Sequence, residues 1–327
     1  MGRRKSGGGG KWQTWAILLF ASGGVLFFGI RAILENRRIP SENPFEYQMH
    51  RIEKDDDSLE HFTEIKRIPV QLEKPAALAS GPDGTLFICG MRGMMRVSQE
   101  GARERTALPF TPSCIAAEGN RLYLGAGDHV EVYTSDGVHR AAWPPPSENT
   151  ILTSIAAGGE NVYAADAGSG VVWKYDKEGQ LITALGSTDR SLDVPGLLIP
   201  SPYFDVAVDP DGFLWAANTG LHSLENYTHE GGLRTAWGEY GNKLSDFCGC
   251  CNPAHFSIME DGSFVTSEKG MVRVKIYDRT GRLTGLVAGP GQFPGTHAGH
   301  DIAVQGGKIY VLDPRAEAVR IFEKVQD

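Results

Sequence analysis

The sequence predicts an all-β chain: a six-bladed β-propeller of four-stranded blades, closed by an N-terminal strand and preceded by a single transmembrane helix. Three observations carry this. Glycine is in excess, 41 of 327 residues, against about 7% in an average protein. Turn residues recur in pairs at a fixed spacing along most of the chain. Near the N-terminus a run of 19 residues, Trp12 to Ile30, carries no charge.

The uncharged run comes first in the chain. As a helix it would span about 28 Å, close to the ~30 Å of bilayer hydrocarbon. Trp12 and Trp15 at its start suit an interfacial aromatic belt. Ala21-Ser22-Gly23 offers a cleavage site, but Val25-Leu26-Phe27-Phe28 follows at once and would leave an apolar end. The reading is therefore a short basic tail over 1–11 and an uncleaved signal-anchor over 12–34. Residues 35–60 form a polar linker containing Pro40, Pro44 and Asp55-Asp56-Asp57. Four basic residues precede the run and three follow or end it, partly offset by Glu35, a mild bias toward a cytoplasmic N-terminus and a propeller on the extracytoplasmic side, periplasmic or extracellular, with the reverse orientation as the alternative. The membrane is thus an expected partner.

Charge narrows the remaining partners. Residues 1–38 hold seven Lys/Arg and one acid, leaving 25 bases against 39 acids, or −14, in the rest. A domain that acidic repels a phosphate backbone, so no nucleic-acid partner is expected.

Residues 61–327 are repetitive. Gly84 pairs with Gly101, Asn120 with Gly137, Asn161 with Gly179, Gly212 with Gly231 and Gly262 with Gly281, at separations of 17 to 19. Before each first turn stands a small apolar segment: Ala77-Leu78-Ala79, Ile115-Ala116-Ala117, Ile155-Ala156-Ala157, Val206-Ala207-Val208, Phe256-Ser257-Ile258 and, in a sixth copy, Ile302-Ala303-Val304. After it comes a second apolar strand such as Leu86-Phe87-Ile88 or Ile309-Tyr310-Val311. The residue four before the second turn is Val97, Tyr133, Tyr175, Tyr227 or Tyr277, with Phe322 in the sixth copy. Each copy reads as strands a to d, and about 45 residues per copy is the size of one four-stranded blade. The sixth copy lacks room for strand d. His61 to Val70 alternates as a strand would, and is expected to fill that place and seal the open edge.

The segments PDGTLFI and EDGSFVTSEKGMVRVKIYDRTG resemble NHL-type repeats, within the wider six-bladed group that includes gluconolactonase-like propellers. The resemblance implies the fold over residues 61–327. Gluconolactonase-like relatives would bring channel carboxylates around a divalent cation such as calcium. The polar residues that recur after strand b, Asp128, Asp166, Asn218, Glu268 and Asp313, are candidates, although one polar residue per blade is also a common loop cap. Amidating lyases of the group place several histidines at a channel zinc, for which His255, His300 and His222 are candidates.

The interval from a second turn to the next first turn measures the d–a loop, and runs 19, 24, 33, 31 and 26 residues. Extra length gathers on one face, the expected surface for a protein or small-ligand partner. There stands Asp246-Phe247-Cys248-Gly249-Cys250-Cys251-Asn252-Pro253-Ala254-His255. Three cysteines within four residues suit a soft metal or an iron–sulfur cluster. His255, His300 and Cys114 stand at the starts of strands a, so Cys248, Cys250, Cys251, His255, His300 and Cys114 form one candidate metal set. A disulfide or a reactive thiol are the alternatives for the same cysteines. Cys89, in Leu86-Phe87-Ile88-Cys89, reads as a small buried hydrophobe. No nucleophile elbow, phosphate loop or dinucleotide fingerprint is present. The leading function is a membrane-anchored binding module, since this requires only the fold and no catalysis. A redox or metal protein, holding iron–sulfur, copper or zinc at the Cys248–Cys251 cluster, is the first alternative. A metal-dependent lactonase- or lyase-like channel enzyme is the second.

Overall fold

The computed structural model describes residues 59–188, 196–294 and 297–325. Their strands form four four-stranded sheets and one eight-stranded sheet. The eight-stranded sheet is two four-stranded units joined edge to edge, where Glu60 and His61 pair in parallel with Gly285 and Leu286. Six four-stranded blades result. Their innermost strands a are Ala77–Ser80, Cys114–Glu118, Leu152–Gly158, Val206–Val208, His255–Ile258 and Ile302–Gln305.

The ring is closed by Glu60–Pro69. This strand pairs antiparallel with Ala318–Lys324, from Phe62 opposite Lys324 to Pro69 opposite Ala318, and serves as strand d of blade 6. It carries Ile68 into the seam with blade 1, and Glu64 accepts hydrogen bonds from the buried Arg320.

Both faces of each blade are buried against neighbours, which is why strands b are buried along nearly their whole length rather than on alternate residues. Successive side chains point to opposite faces. Leu86 and Ile88 accordingly join the cluster shared with blade 6, while Phe87 and Cys89 join the one shared with blade 2. Six such clusters occur, each shared by two adjacent blades. The recurring aromatic of strand c plugs the seam with the preceding blade. Tyr133, Tyr175, Tyr227, Tyr277 and Phe322 are each buried there, worth about 1.5–3 kcal/mol apiece relative to exposure.

The first turns of blades 2 and 3 differ from the sequence reading by one or two residues. Glu118 pairs with Arg121 and Gly158 with Asn161, so two residues close each hairpin. The left-handed residues are Gly119 (φ 55°) and Gly159 (φ 59°). Asn120 is the second loop residue of its hairpin, and Asn161 already belongs to the following strand. Two-residue hairpins require positive φ at a central position, which glycine adopts without steric cost.

The expectation of a single transmembrane helix is corrected. Among the described residues no helix is long and apolar enough to cross a membrane. The regular elements of the described residues are strands, apart from a three-residue 3-10 turn at Pro290–Gln292. Among the described residues the apolar side chains pack in the seams between blades. The segment 12–34 that carried the expectation lies outside the described residues. The membrane partner and the extracytoplasmic placement rested on that segment alone, and neither is retained.

Candidate functional site

The blade registers align Leu78, Ile115, Ile155, Val206, Phe256 and Ile302 opposite equivalent positions of their strands b. One residue earlier in each blade stand Ala77, Cys114, Ser154, Asp205, His255 and Asp301, a ring of which all but Ala77 line the channel mouth. The channel behind it is a cavity of about 270 Å³ lined by strands a of all six blades. The b–c and d–a loops, with their long inserts, surround this mouth.

Blades 4, 5 and 6 give the ring its chemistry. His255 Nδ1 lies 3.8 Å from Asp205 Oδ2 and 3.7 Å from Asp301 Oδ1. These contacts are too long for hydrogen bonds and act through charge. Each carboxylate is anchored by backbone amides. Asp205 Oδ2 accepts from Phe256 N at 2.7 Å, and Oδ1 from Val206 N and the Ser154 hydroxyl. Asp301 Oδ2 accepts from Leu78 N at 2.7 Å and Oδ1 from Ile302 N. Both aspartates therefore also clasp the next blade, 4 to 5 and 6 to 1.

Burial pushes the Asp301 carboxyl up to about 6, opposed by His255 and by the amides of Leu78 and Ile302, while the neighbouring Asp205 charge adds to the rise. Burial likewise raises Asp205, against the pull of His255, the Ser154 hydroxyl and the two amides. Perturbed carboxyls beside an imidazole in an open cavity mark a candidate for proton chemistry.

Long-loop residues complete the rim. The Tyr203 ring stands edge-on to His255, with centroids 6.1 Å apart, and Lys269 Nζ sits 4.9 Å above the Tyr203 centroid. Gly299 packs so tightly that a Cβ there would lie 2.6 Å from Ala254 Cβ and 3.2 Å from His255 Cδ2.

The cysteine insert is held from beneath by cations of blade 5. Arg273, Lys275 and Glu268 are wholly buried and form one ion cluster. Arg273 donates to Asp246 O and to Cys248 Sγ at 3.2 Å, Lys275 to Leu244 O and Asp246 O, and the Tyr277 hydroxyl to Ser245 O. Burial pushes Lys275 down to about 8, with Glu268 opposing.

The structure distributes the six predicted metal residues rather than gathering them. Cys114 and His255 lie in the channel wall. Cys248 is buried against Arg273 and Glu268. Cys250 and Cys251 form a vicinal pair with sulfurs 3.1 Å apart. His300 stands one residue before Asp301, ahead of the strand Ile302–Gln305, and does not line the channel. It is buried edge-on against Phe293, its Nδ1 faces Ala298 O, and burial lowers its pKa. All five cysteines are free thiols. His222, in a b–c loop, meets the Tyr240 ring at a tilt, with centroids 5.0 Å apart.

Among the described residues no group of three or more His, Cys, Asp or Glu is placed to hold a metal ion. Calcium takes about six to eight oxygens. The ring offers two carboxylates already engaged with amides, beside an alanine, a thiol and a serine, so the donors here do not fit a channel calcium. Of the recurring polar residues, Asp166 accepts from Ile151 N, Gly168 N and Trp173 Nε1, and Asn218 accepts from Leu198 N. Both act as loop caps.

Sequence reasoning missed Asp205 and Asp301 as partners of His255. The signal was present, since aligning the copies on their small apolar segments puts all three at one position. A larger groove of about 550 Å³ opens between blades 1 and 6, beside Asp83, Arg103 and Lys308. It lies by the a–b and c–d turns, away from the mouth, and its lining holds no histidine or cysteine.

Neither a protein-family profile nor a curated protein matches the sequence. Solved structures do match the fold. Virginiamycin B lyase from Staphylococcus aureus is 14% identical, with 77% of this chain and 82% of that one covered and a TM-score of 0.54. A structure of that lyase with Quinupristin carries a histidine-to-alanine change and is catalytically inactive. Regucalcin from Agrobacterium tumefaciens, a calcium-binding protein, is 15% identical over 81% of this chain and 96% of its own, with a TM-score of 0.58. A gluconolactonase from Xanthomonas campestris is 13% identical over 81% and 89%, with a TM-score of 0.58. At such identities the likeness shows the fold, a gluconolactonase-like propeller. It does not extend to the NHL repeat type.

Proposed function

We propose that this propeller takes a small neutral or cationic ligand into the channel mouth and that His255 moves a proton on it. The observation that carries the reading is the placement of His255 between the carboxylates of Asp205 and Asp301 at an open cavity. Nδ1 faces the carboxylates, which leaves Nε2 for the ligand. Asp205 and Asp301 orient the ring and balance its charge as the proton is gained or lost. The two negative groups disfavour an anionic ligand. A lyase with an inactive histidine variant and a gluconolactonase share the fold, which supports acid–base chemistry in this scaffold.

The test is turnover of gluconolactone and of quinupristin by the full chain, followed by acid–base titration and mass spectrometry. Loss of general acid–base help in His255→Gln is expected to lower the rate by about 100-fold or more. Unchanged turnover in that variant would refute the role.

A second reading, ligand binding without turnover, is favoured by Leu198, Leu221 and Tyr240, which are exposed on loops of the same face. It predicts saturable calorimetric binding that survives His255→Gln.

A further inference from the structure

We propose that Cys250 and Cys251 form a dithiol that reduces a small disulfide at the rim of the channel mouth, with Cys250 attacking and Cys251 resolving. Their sulfurs lie 3.1 Å apart. Cys250 is exposed, whereas Cys251 behind it is buried. Lys269 Nζ stands 3.8 Å from the Cys250 sulfur. The turn that holds the pair is fixed by Asn252. Its amide donates to Cys248 O and Lys269 O and accepts from Lys269 N, which ties the Lys269 backbone to the cysteine turn.

The two thiols differ in the sense this chemistry needs. The Cys251 hydrogen bond and the Lys269 charge lower Cys250 toward the thiolate, the attacking form. Burial raises Cys251, which stays a thiol until it is needed. The other three cysteines are not set up this way. Burial drives Cys114 up to about 12 and raises Cys89 and Cys248, and none of the three is exposed.

The step balances with the disulfide as oxidant. The Cys250 thiolate attacks one sulfur of RS–SR, forming a mixed disulfide and expelling RS⁻. Cys251 then attacks the Cys250 sulfur, gives up its proton and releases the second group as RSH. The enzyme is left with a Cys250–Cys251 disulfide, and two thiol equivalents appear per chain. Repeated turnover requires an external thiol reductant. Neither cysteine lines the channel, so this inference stands or falls separately from the role of His255.

The experiment uses the reduced full chain, glutathione disulfide as probe, and acid quenching before intact mass and peptide mapping. The wild type is expected to lose two hydrogens, release two thiols and keep no adduct. Cys251→Ser, or Cys251→Ala should the serine fail to fold, is expected to retain one glutathione on Cys250. Cys250→Ser is expected to react at least about tenfold more slowly. Lys269→Met should slow the wild-type reaction severalfold near neutral pH, with the difference vanishing once the thiol is fully ionised. A lasting adduct on wild-type Cys250, a bridge between other cysteines, or undiminished reaction of Cys250→Ser would overturn the proposal.

Discussion

Glu268→Gln is the most demanding test of how the inserts are held over the channel. The substitution keeps the shape of the side chain and removes its charge. It leaves Arg273 and Lys275 buried without their counter-ion, where Glu268 Oε1 otherwise lies 2.7 Å from Lys275 Nζ and all three side chains are wholly buried. Breaking a buried pair by removing one partner costs about 3–5 kcal/mol. For a domain this large, each kcal/mol lowers the melting temperature by about 2–4 °C, so a fall of roughly 10 °C is expected in calorimetry. The pH dependence adds a sign. Lys275 is depressed from 10.5 to about 8 in the fold, so its contribution to stability is complete above its unfolded value and is lost as pH falls through about 8. Wild-type stability should therefore rise between these values. Adding Lys275→Met to Glu268→Gln removes one orphaned cation and should restore part of the loss. A single variant within about 1 kcal/mol of wild type, or a double variant worse than the single, would refute the reasoning.

Three further outcomes are expected. Gly299→Ala places a methyl 2.6 Å from Ala254 Cβ and close to the His255 ring, so overpacking should cost about 1–3 kcal/mol in urea unfolding and weaken any ligand bound at His255. For Asp301, whose carboxyl rises from 3.8 to about 6 on folding, stability is complete below the unfolded value and is lost as pH rises through about 6. Ionisation there costs at most about 3 kcal/mol, and Asp301→Asn should abolish that slope between pH titrations of the two proteins. Removing residues 1–69 strips the closing strand and Ile68 from the seam, so the melt should fall by at least about 3 kcal/mol equivalent and the exposed edge of Ala318–Lys324 should promote association in size-exclusion chromatography.

Much of the architecture is legible in the chain because the same physical demand recurs in each blade. Left-handed turns call for glycine, as at Gly84 and Gly101, and each seam calls for a plug, as at Tyr175 and Tyr277. The two-residue hairpins at Gly119 and Gly159 are harder to place, because the adjacent Asn120 and Asn161 are turn formers too. The site is only half legible. His255 stands out beside the cysteines, but Asp205 and Asp301 read as ordinary loop acids until the blades are superposed in register. His300 misleads because it neighbours Asp301 in the chain, yet it packs edge-on against Phe293 instead of lining the channel. Arg273 and Lys275 look like solvated charges within VRVKIY. Their burial depends on an insert folding back from some thirty residues earlier, which no local pattern reports.

The central claim is that chemistry resides at the His255 mouth rather than in the larger groove between blades 1 and 6. A crystal structure of the chain with a turned-over ligand, or its product, tests this most directly. A polar ligand atom is expected within about 2.6–3.2 Å of His255 Nε2, with Tyr203 against the ligand. A ligand seated instead beside Asp83, Arg103 and Lys308, with the mouth vacant, would contradict it.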